Sequence, residues 1–460
     1  MAIIRDRALL NEDGSIPVKL LLNCIAEHQQ QRDRFDKLNR YYDGEHEILR
    51  RTLSNPDLPN NKLICNHAEY ITDMATGYFI GNTVTYKDDD IEPILDNFKK
   101  IDIHTVDTEL CRDISINGIG YELIYMTSDE IPIPKSTNID PRNIFLVVDD
   151  TVEYKSMVAV HYYPKYDISN NVVGYYVNVY TESKTIKYLF KDLRSEQCEV
   201  LKDESHYFKK VPVIEYWNKK NLKGDFEGVL TLIDAYNLLQ SDRVNDKEQL
   251  VDALLAVIGV SLGDDEEEMT ETAKLLKRMK ILELPTDGDA KWLVKQLNET
   301  EVEVLKKALK DDIHEFSKVP CLTDENFASQ ASGVAMKYKL LGLEQLAKTK
   351  EGYYKTGLRE RLQLYANIFN IKGNNIDISD TEINMTRALP VNEVEISNMV
   401  STLDGTVSLE TRLSLLPFIT DIKAELKRVE EENTKKVEQQ QKAFGSYDFK
   451  NGDVDEEPKQ

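Results

Sequence analysis

The chain has 460 residues, 41% of them hydrophobic and 30% charged, the balance of a soluble protein that buries a core in about two to four domains or layers. Its formal charge of −23 excludes wrapping nucleic acid by phosphate neutralisation, which needs a surplus of Lys and Arg, but leaves open a conduit through which DNA slides. Five cysteines stand far apart, as in a reducing compartment, and the longest strongly apolar run, Ala253 to Val260, falls short of the roughly 20 residues of a membrane span.

Residues 1–55 read as helical; the opening Met-Ala-Ile-Ile-Arg-Asp-Arg turns polar at once and reads as no secretory signal. Within them Leu21, Ile25, Phe35, Leu38 and Tyr42 recur at helical spacing from Val18 to Tyr42. After Pro56 and Pro59 come a helix over Ile64–Phe79, a short strand Val84–Tyr86 and one helix over Ile91–Asn117. From Gly118 to Asn218 the chain turns to β-branched and aromatic runs: 121–125, 144–148, 157–163, 173–180, 185–190 and 211–216. Turn residues at Asn170-Asn171 and at Asp192–Glu196 predict an antiparallel meander.

A helix over about 228–256 carries a polar face of Asp234, Asn237, Ser241, Asn245, Glu248 and Asp252 at three- and four-residue spacing. A small α/β piece follows: a helix over Glu266–Met279, strand-like Ile281–Leu284, a hairpin-type turn at Asp287-Gly288, and a returning strand at Trp292. Asn298, with Glu301 three residues on, caps a helix whose seam is Val302, Leu305, Leu309, Ile313 and Phe316; Pro320 stops it. After a polar loop, Ser332 opens a helix of about 39 residues, roughly 58 Å long, with expected bends at Gly342, Gly352 and Gly357. A strand-like stretch reaches Pro390. Helices over Val391–Leu403 and Ser408–Phe444 follow, the second broken at Pro417, and a polar tail from Gly445 reads as disordered.

No phosphate loop, His-Glu-x-x-His or Cys-x-x-Cys occurs, and Gly118-Ile-Gly120 lacks the third glycine of a dinucleotide fingerprint. Asp287, Asp289 and Lys291 admit two readings, a hairpin turn or the Mg²⁺-binding carboxylates and lysine of a nuclease. The acidic run Asp264, Asp265, Glu266, Glu267 is explained by a helix N-terminus, or serves a partner. Glu303, Lys306, Lys307, Lys310 and His314 fall away from the apolar seam of their helix. On a surface helix that means nothing; in a ring of identical helices they become stacked rings of charge around a pore.

Several stretches resemble portal proteins of tailed phages of Gram-positive bacteria: Arg40–Leu49, Asn60–Asn66, Gly77–Gly81, Ile233–Tyr236 with Ser241-Asp242 and Asn245-Asp246, Asp252–Leu254, Ser332–Glu344, and Val407–Leu413 with Pro417. They fall in family order across about residues 35–432. The resemblance implies an α+β, mainly helical portal-type fold. Its parts would be a wing (1–226), a stem helix (227–252), a clip (253–297), a second stem helix (298–319), a tunnel loop (320–332), a long bent wing helix with a following strand (333–390), a crown (391–444) and a tail (445–460). It implies a cone-shaped homo-oligomeric ring, usually of twelve subunits, at one capsid vertex, assembled in the host cytoplasm. The ring would nucleate procapsids and conduct double-stranded DNA without sequence specificity. Its partners would be the terminase large subunit, a neck adaptor, and the major capsid and scaffolding proteins, with no membrane. Glu303, Lys306, Lys307, Lys310 and His314 would line the channel. Thr323, Asp324, Glu325, Asn326 and Phe327 would form the tunnel loop, and Asp264, Asp265, Glu266 and Glu267 would face partners from the clip. No catalytic residue, metal or cofactor is implied. A metal-dependent nuclease and a non-viral oligomeric scaffold are the alternatives.

Overall fold

The computed structural model describes residues 2–56, 58–88, 90–251, 254–258, 265–279, 289–293, 299–322, 338–388, 393–416, 419 and 422–444. The fold is mixed α+β, in two compact units, Met1–Ala388 and Leu389–Gln460.

The first unit opens on strand β1 (Ile3–Ile4), where helix was expected. It then forms α1 (Val18–Tyr42), which buries Leu21, Cys24, Ile25, His28, Phe35, Leu38 and Tyr41. These recur every three or four positions, one face of a helix; the face ends on Tyr41 rather than on the expected Tyr42. Next come α2 (His67–Ile80), β2 (Thr85–Lys87), α3 (Glu92–Ile101) and α4 (Ile103–Asn117). The single helix expected over Ile91–Asn117 is thus two. Asp102 breaks it with a left-handed backbone (φ 50°), a conformation Asp tolerates better than most residues. Gly118 caps α4 with φ 80°, and a Cβ there would lie 2.1 Å from the Leu222 carbonyl oxygen. This position requires glycine on both counts.

The β region is two sheets. Strands β5 (Ile144–Val148), β6 (Ser156–Tyr166), β7 (Val172–Tyr180), β8 (Lys184–Phe190) and β9 (Cys198–Ser205) form an antiparallel meander, with β1 added parallel to β5. A second sheet orders β10 (Val213–Trp217), β3 (Ile119–Met126) and β4 (Pro134–Ile139). Sequence reasoning missed β4 and β9, because β4 is short of β-branched apolar residues and β9 is exposed along nearly its whole length. One core cluster packs Leu21, Cys24 and Ile25 of α1 on Phe145, Val158, Val160, Val177 and Val179. A second joins Phe35 to Tyr121, Leu146, Ala159 and Val213 where the two sheets meet. Each fully buried large apolar side chain here contributes about 1.5–3 kcal/mol. His28 lies inside, its Nδ1 2.9 Å from the Tyr162 hydroxyl and its ring stacked on Phe145; burial pushes it down to about 3.

Helix α5 (Leu230–Val251) leads to β11 (Leu254–Ile258), α6 (Glu266–Met279) and β12 (Asp289–Leu293), which pairs antiparallel with β11. The expected strand Ile281–Leu284 and the turn at Asp287 lie outside the described residues. Then come α7 (Glu299–Ser317) and α8 (Leu341–Ile371), and β13 (Glu382–Asn384), which pairs with β2. The second unit holds helices Glu393–Thr402, Leu409–Ser414 and Ile422–Phe444, the middle one capped by Ser408.

Candidate functional site

The polar face of α5 has a partner that sequence reasoning did not foresee, the segment Asn60–Asn66. The Cys65 N–H donates to Asn237 Oδ1 (2.8 Å), the Leu63 N–H to Ser241 Oγ (2.9 Å) and the Asn61 N–H to Asn245 Oδ1 (2.7 Å). Acceptors four residues apart on a helix advance about 6.0 Å. Alternate N–H groups on an extended chain advance about 6.6 Å. The two repeats match closely enough for three rungs. Asn237 Nδ2 reaches His46 Nδ1 at 2.8 Å, and Tyr41 donates to Asp234 at 2.7 Å. Asn66 Nδ2 donates to the Tyr42 carbonyl at 2.9 Å. The stretches Arg40–Leu49, Asn60–Asn66 and Ile233–Asn245 therefore form one polar junction.

Helices α5 and α7 run antiparallel, tied by Arg243–Glu303 (2.6 Å) and Lys247–Glu299 (3.2 Å). The first tie turns Glu303, and with it Lys306 (3.4 Å from Glu303), toward α5. Ile313 is buried in this contact, but Val304, Leu305 and Phe316 are exposed at 66%, 51% and 67%. Of the expected seam, Ile313 is buried and Val302 and Leu309 are half-buried, while Leu305 and Phe316 stay exposed; Glu299 and Glu303 reach the cations of α5 from the exposed rim of the contact. Lys307 is exposed and Lys310 half-buried. His314 corrects the sequence reading, because it is buried, with Nδ1 2.9 Å from the Val319 carbonyl. Its ring meets His67 and Tyr70 edge-on, each at 5.5 Å. Burial pushes His67 down to about 4 and lowers His314 as well.

Tyr70 fixes the chain beyond α7. Its hydroxyl donates to the Pro320 carbonyl (3.1 Å) and accepts from the Leu322 N–H (2.9 Å). The start of α8 returns to the same place: a Cβ on Gly342 would lie 3.3 Å from the Lys318 carbonyl oxygen, and Tyr78 of α2 donates to Glu344 at 2.7 Å. Both ends of segment 323–337 thus sit on α2. Thr323, Asp324, Glu325, Asn326 and Phe327 lie outside the described residues. Tyr70→Phe is expected to cost up to about 1 kcal/mol and to speed amide exchange at Leu322. Unchanged exchange there would contradict the clamp.

Two buried cations of α8, Lys350 and Arg361, are ion-paired, about three helical turns apart on one face. Lys350 Nζ lies 2.8 Å from Asp225, which also accepts from Ser115 (2.5 Å) and Asn218 (2.7 Å). Burial alone would raise Asp225; Lys350 and these donors hold it below the usual carboxylate range. Arg361 lies between Asp107 (2.6 Å) and Glu122 (2.8 Å), all three fully buried. At Gly357 a Cβ would lie 2.4 Å from the Tyr216 ring, so close approach demands glycine there.

Asp264 lies outside the described residues. Asp265, Glu266 and Glu267 are exposed at the start of α6, where Asp265 Oδ1 accepts from the Glu268 N–H at 2.8 Å, a helix cap. Asp287 lies outside the described residues, while Asp289 and Lys291 fall in β12. Among the described residues no cluster of three or more His, Cys, Asp or Glu is placed to hold a metal, and no helix is long and apolar enough to cross a membrane.

The ordered motifs place the chain among phage portal proteins by sequence. The match is to the family described as Phage portal protein, SPP1 Gp6-like, over residues 21–439, and the chain belongs to that family. It is 22% identical over 454 residues to the portal protein of Bacillus phage SPP1, covering 94% of this chain and 86% of that protein. Against the portal protein of Clostridium phage phiCD119 it is 22% identical over 432 residues, covering 86% and 92%. Among solved structures it is similar to chains in the neck of a native GTA particle computed with C12 symmetry (TM-score 0.44, 13% identity, 76% and 89% covered). It is likewise similar to chains in the neck of an empty GTA particle computed with C6 symmetry (TM-score 0.43, 14% identity, 76% and 89% covered).

Proposed function

We propose that this phage portal protein forms a homo-oligomeric ring, a dodecamer, at one vertex of the capsid, and that DNA enters and leaves through its channel. The observation that carries the reading is the family match over residues 21–439. The exposed Val304, Leu305 and Phe316 support it, because a neighbouring copy would cover them. In this reading residues 1–226 and 333–390 are the wing and 391–444 the crown. Helices α5 and α7 are the stem and 253–297 the clip, which meets the terminase and later the neck adaptor through Asp265, Glu266 and Glu267. The chain nucleates procapsids and hydrolyses nothing itself. Glu303, Lys306, Lys307 and Lys310 remain the charged groups nearest a channel on α7; His314 positions the chain that leaves it.

Residues 320–332 are the tunnel loop in this reading, with Thr323, Asp324, Glu325, Asn326 and Phe327 touching DNA. Support comes from the two fixed ends of the segment on α2, which a loop needs if it is to shift while the helices stay packed. Replacing residues 323–328 with Gly and Ser is expected to leave rings intact in negative-stain images and to shorten packaged DNA. A purified chain that forms no rings sinks the ring. Normal packaging by the variant sinks only the loop. Mg²⁺-dependent DNA cleavage by the purified chain would favour the nuclease reading.

A further inference from the structure

One stretch of the six-stranded sheet is covered by neither core cluster. Beyond Ala159 and Tyr180, which pack on the second cluster, the same face continues through His161, Tyr163 and Lys165 of β6, Asn178 and Tyr176 of β7 and Lys187 of β8. These side chains are half-buried. The Tyr163 and Tyr176 rings lie 5.6 Å apart, and two ammonium groups sit over Tyr176, Lys187 at 4.4 Å and Lys165 at 5.5 Å. Among the described residues no carboxylate lies within ion-pair distance of either lysine. A chain with 58 basic and 81 acidic side chains thus sets two unneutralised cations on an aromatic floor.

The complementary chemistry stands at the other end of β6. In the turn 149–155, Asp149 is used internally, accepting from Thr151 Oγ1 (2.6 Å) and the Lys155 N–H (3.0 Å). Asp150 and Glu153 point outward with Val152 and Tyr154, which are 96% and 56% exposed. Among the described residues Glu153 pairs with Lys155 alone, at 2.7 Å, and both are exposed. The turn cannot reach the platform of its own subunit: along β6, Lys155 lies roughly 20 Å from His161, which is level with Lys187, and roughly 33 Å from Lys165.

We propose that the turn 149–155 of one copy docks on the Tyr163–Tyr176 platform of the next, with Asp150 and Glu153 meeting Lys165 and Lys187. Copies that each carry −23 repel one another, and a contact that sets cations against acids offsets part of that repulsion. Two different patches meeting in this way make a heterologous contact, the kind that closes into a ring. The inference rests on the ring reading and adds a wing-to-wing contact to it.

A charge-swap series on the full chain, read by native mass spectrometry at moderate salt, tests it. Lys165→Glu with Lys187→Glu should lower the ring fraction at least tenfold, as should Asp150→Lys with Glu153→Lys; all four together should recover most of it. Circular dichroism of each monomer separates lost assembly from lost folding. A double variant that fails to fold is replaced by Lys165→Gln with Lys187→Gln, from which a smaller loss, deeper at low salt than at high salt, is expected. Rings formed equally by wild type and by both double variants overturn the platform alone, as does failure of the fourfold swap to restore them. A wild-type chain that stays monomeric at every concentration overturns the ring reading and this contact with it.

Discussion

Replacing Arg361 with methionine is expected to destabilise the first unit by about 3–5 kcal/mol, because it leaves the carboxylates of Asp107 and Glu122 buried without a countercharge. Arg361→Lys should lose less, since a single ammonium keeps the charge but not the fork. Burial already holds Asp107 above the ordinary carboxylate range, more strongly than Arg361 lowers it. Without the guanidinium it is held higher still. The folded variant then binds a proton that the unfolded chain releases, so its stability falls as pH rises through the carboxylate range. The deficit against the unchanged protein should be smallest in acid and grow toward neutrality. Urea midpoints from about pH 5 to about pH 7 decide the matter; a deficit below about 1 kcal/mol, or one flat in pH, contradicts this account of the cluster.

The second large effect is expected at the junction of α5 with Asn60–Asn66. Asn237→Ala combined with Ser241→Ala orphans the N–H groups of Cys65 and Leu63 and removes the donor facing His46. Each orphaned group costs about 1–3 kcal/mol when buried, and these are half-buried, so about 2–3 kcal/mol is expected for the pair. Amide exchange at Leu63 and Cys65 should quicken by a similar factor. Protection that survives the double substitution would mean that the rungs hold nothing.

Much of this was legible in the sequence. The bounds of α1 follow from its apolar recurrence, and the meander follows from its β-branched runs and the turn at Asn170. The polar face of α5 was also visible, at Asn237, Ser241 and Asn245, but not its purpose. Side chains spaced by four say only that something polar is met, and the partner lies about 180 residues away in the chain. The exposure of two seam residues on α7 was hidden for a related reason. An apolar seam predicts burial, yet Leu305 and Phe316 are exposed while Glu303 turns to Arg243. An ion pair between two helices cannot be read from either helix alone. His314 was misplaced because its acceptor, the Val319 carbonyl, appears only where α7 stops, with Lys318 at φ 63°.

The three rungs on α5 work like a vernier, two rulers whose divisions nearly agree. The mismatch is about 0.6 Å per rung, small over three and too large over many, so the device cannot be lengthened. It is also a parity check. One residue inserted between Asn61 and Cys65 would turn every second amide away from the helix and break the register at once, whereas a change of side chain at Lys62 or Ile64 leaves the pattern untouched. Along this stretch the chain tolerates spelling changes and forbids changes of length.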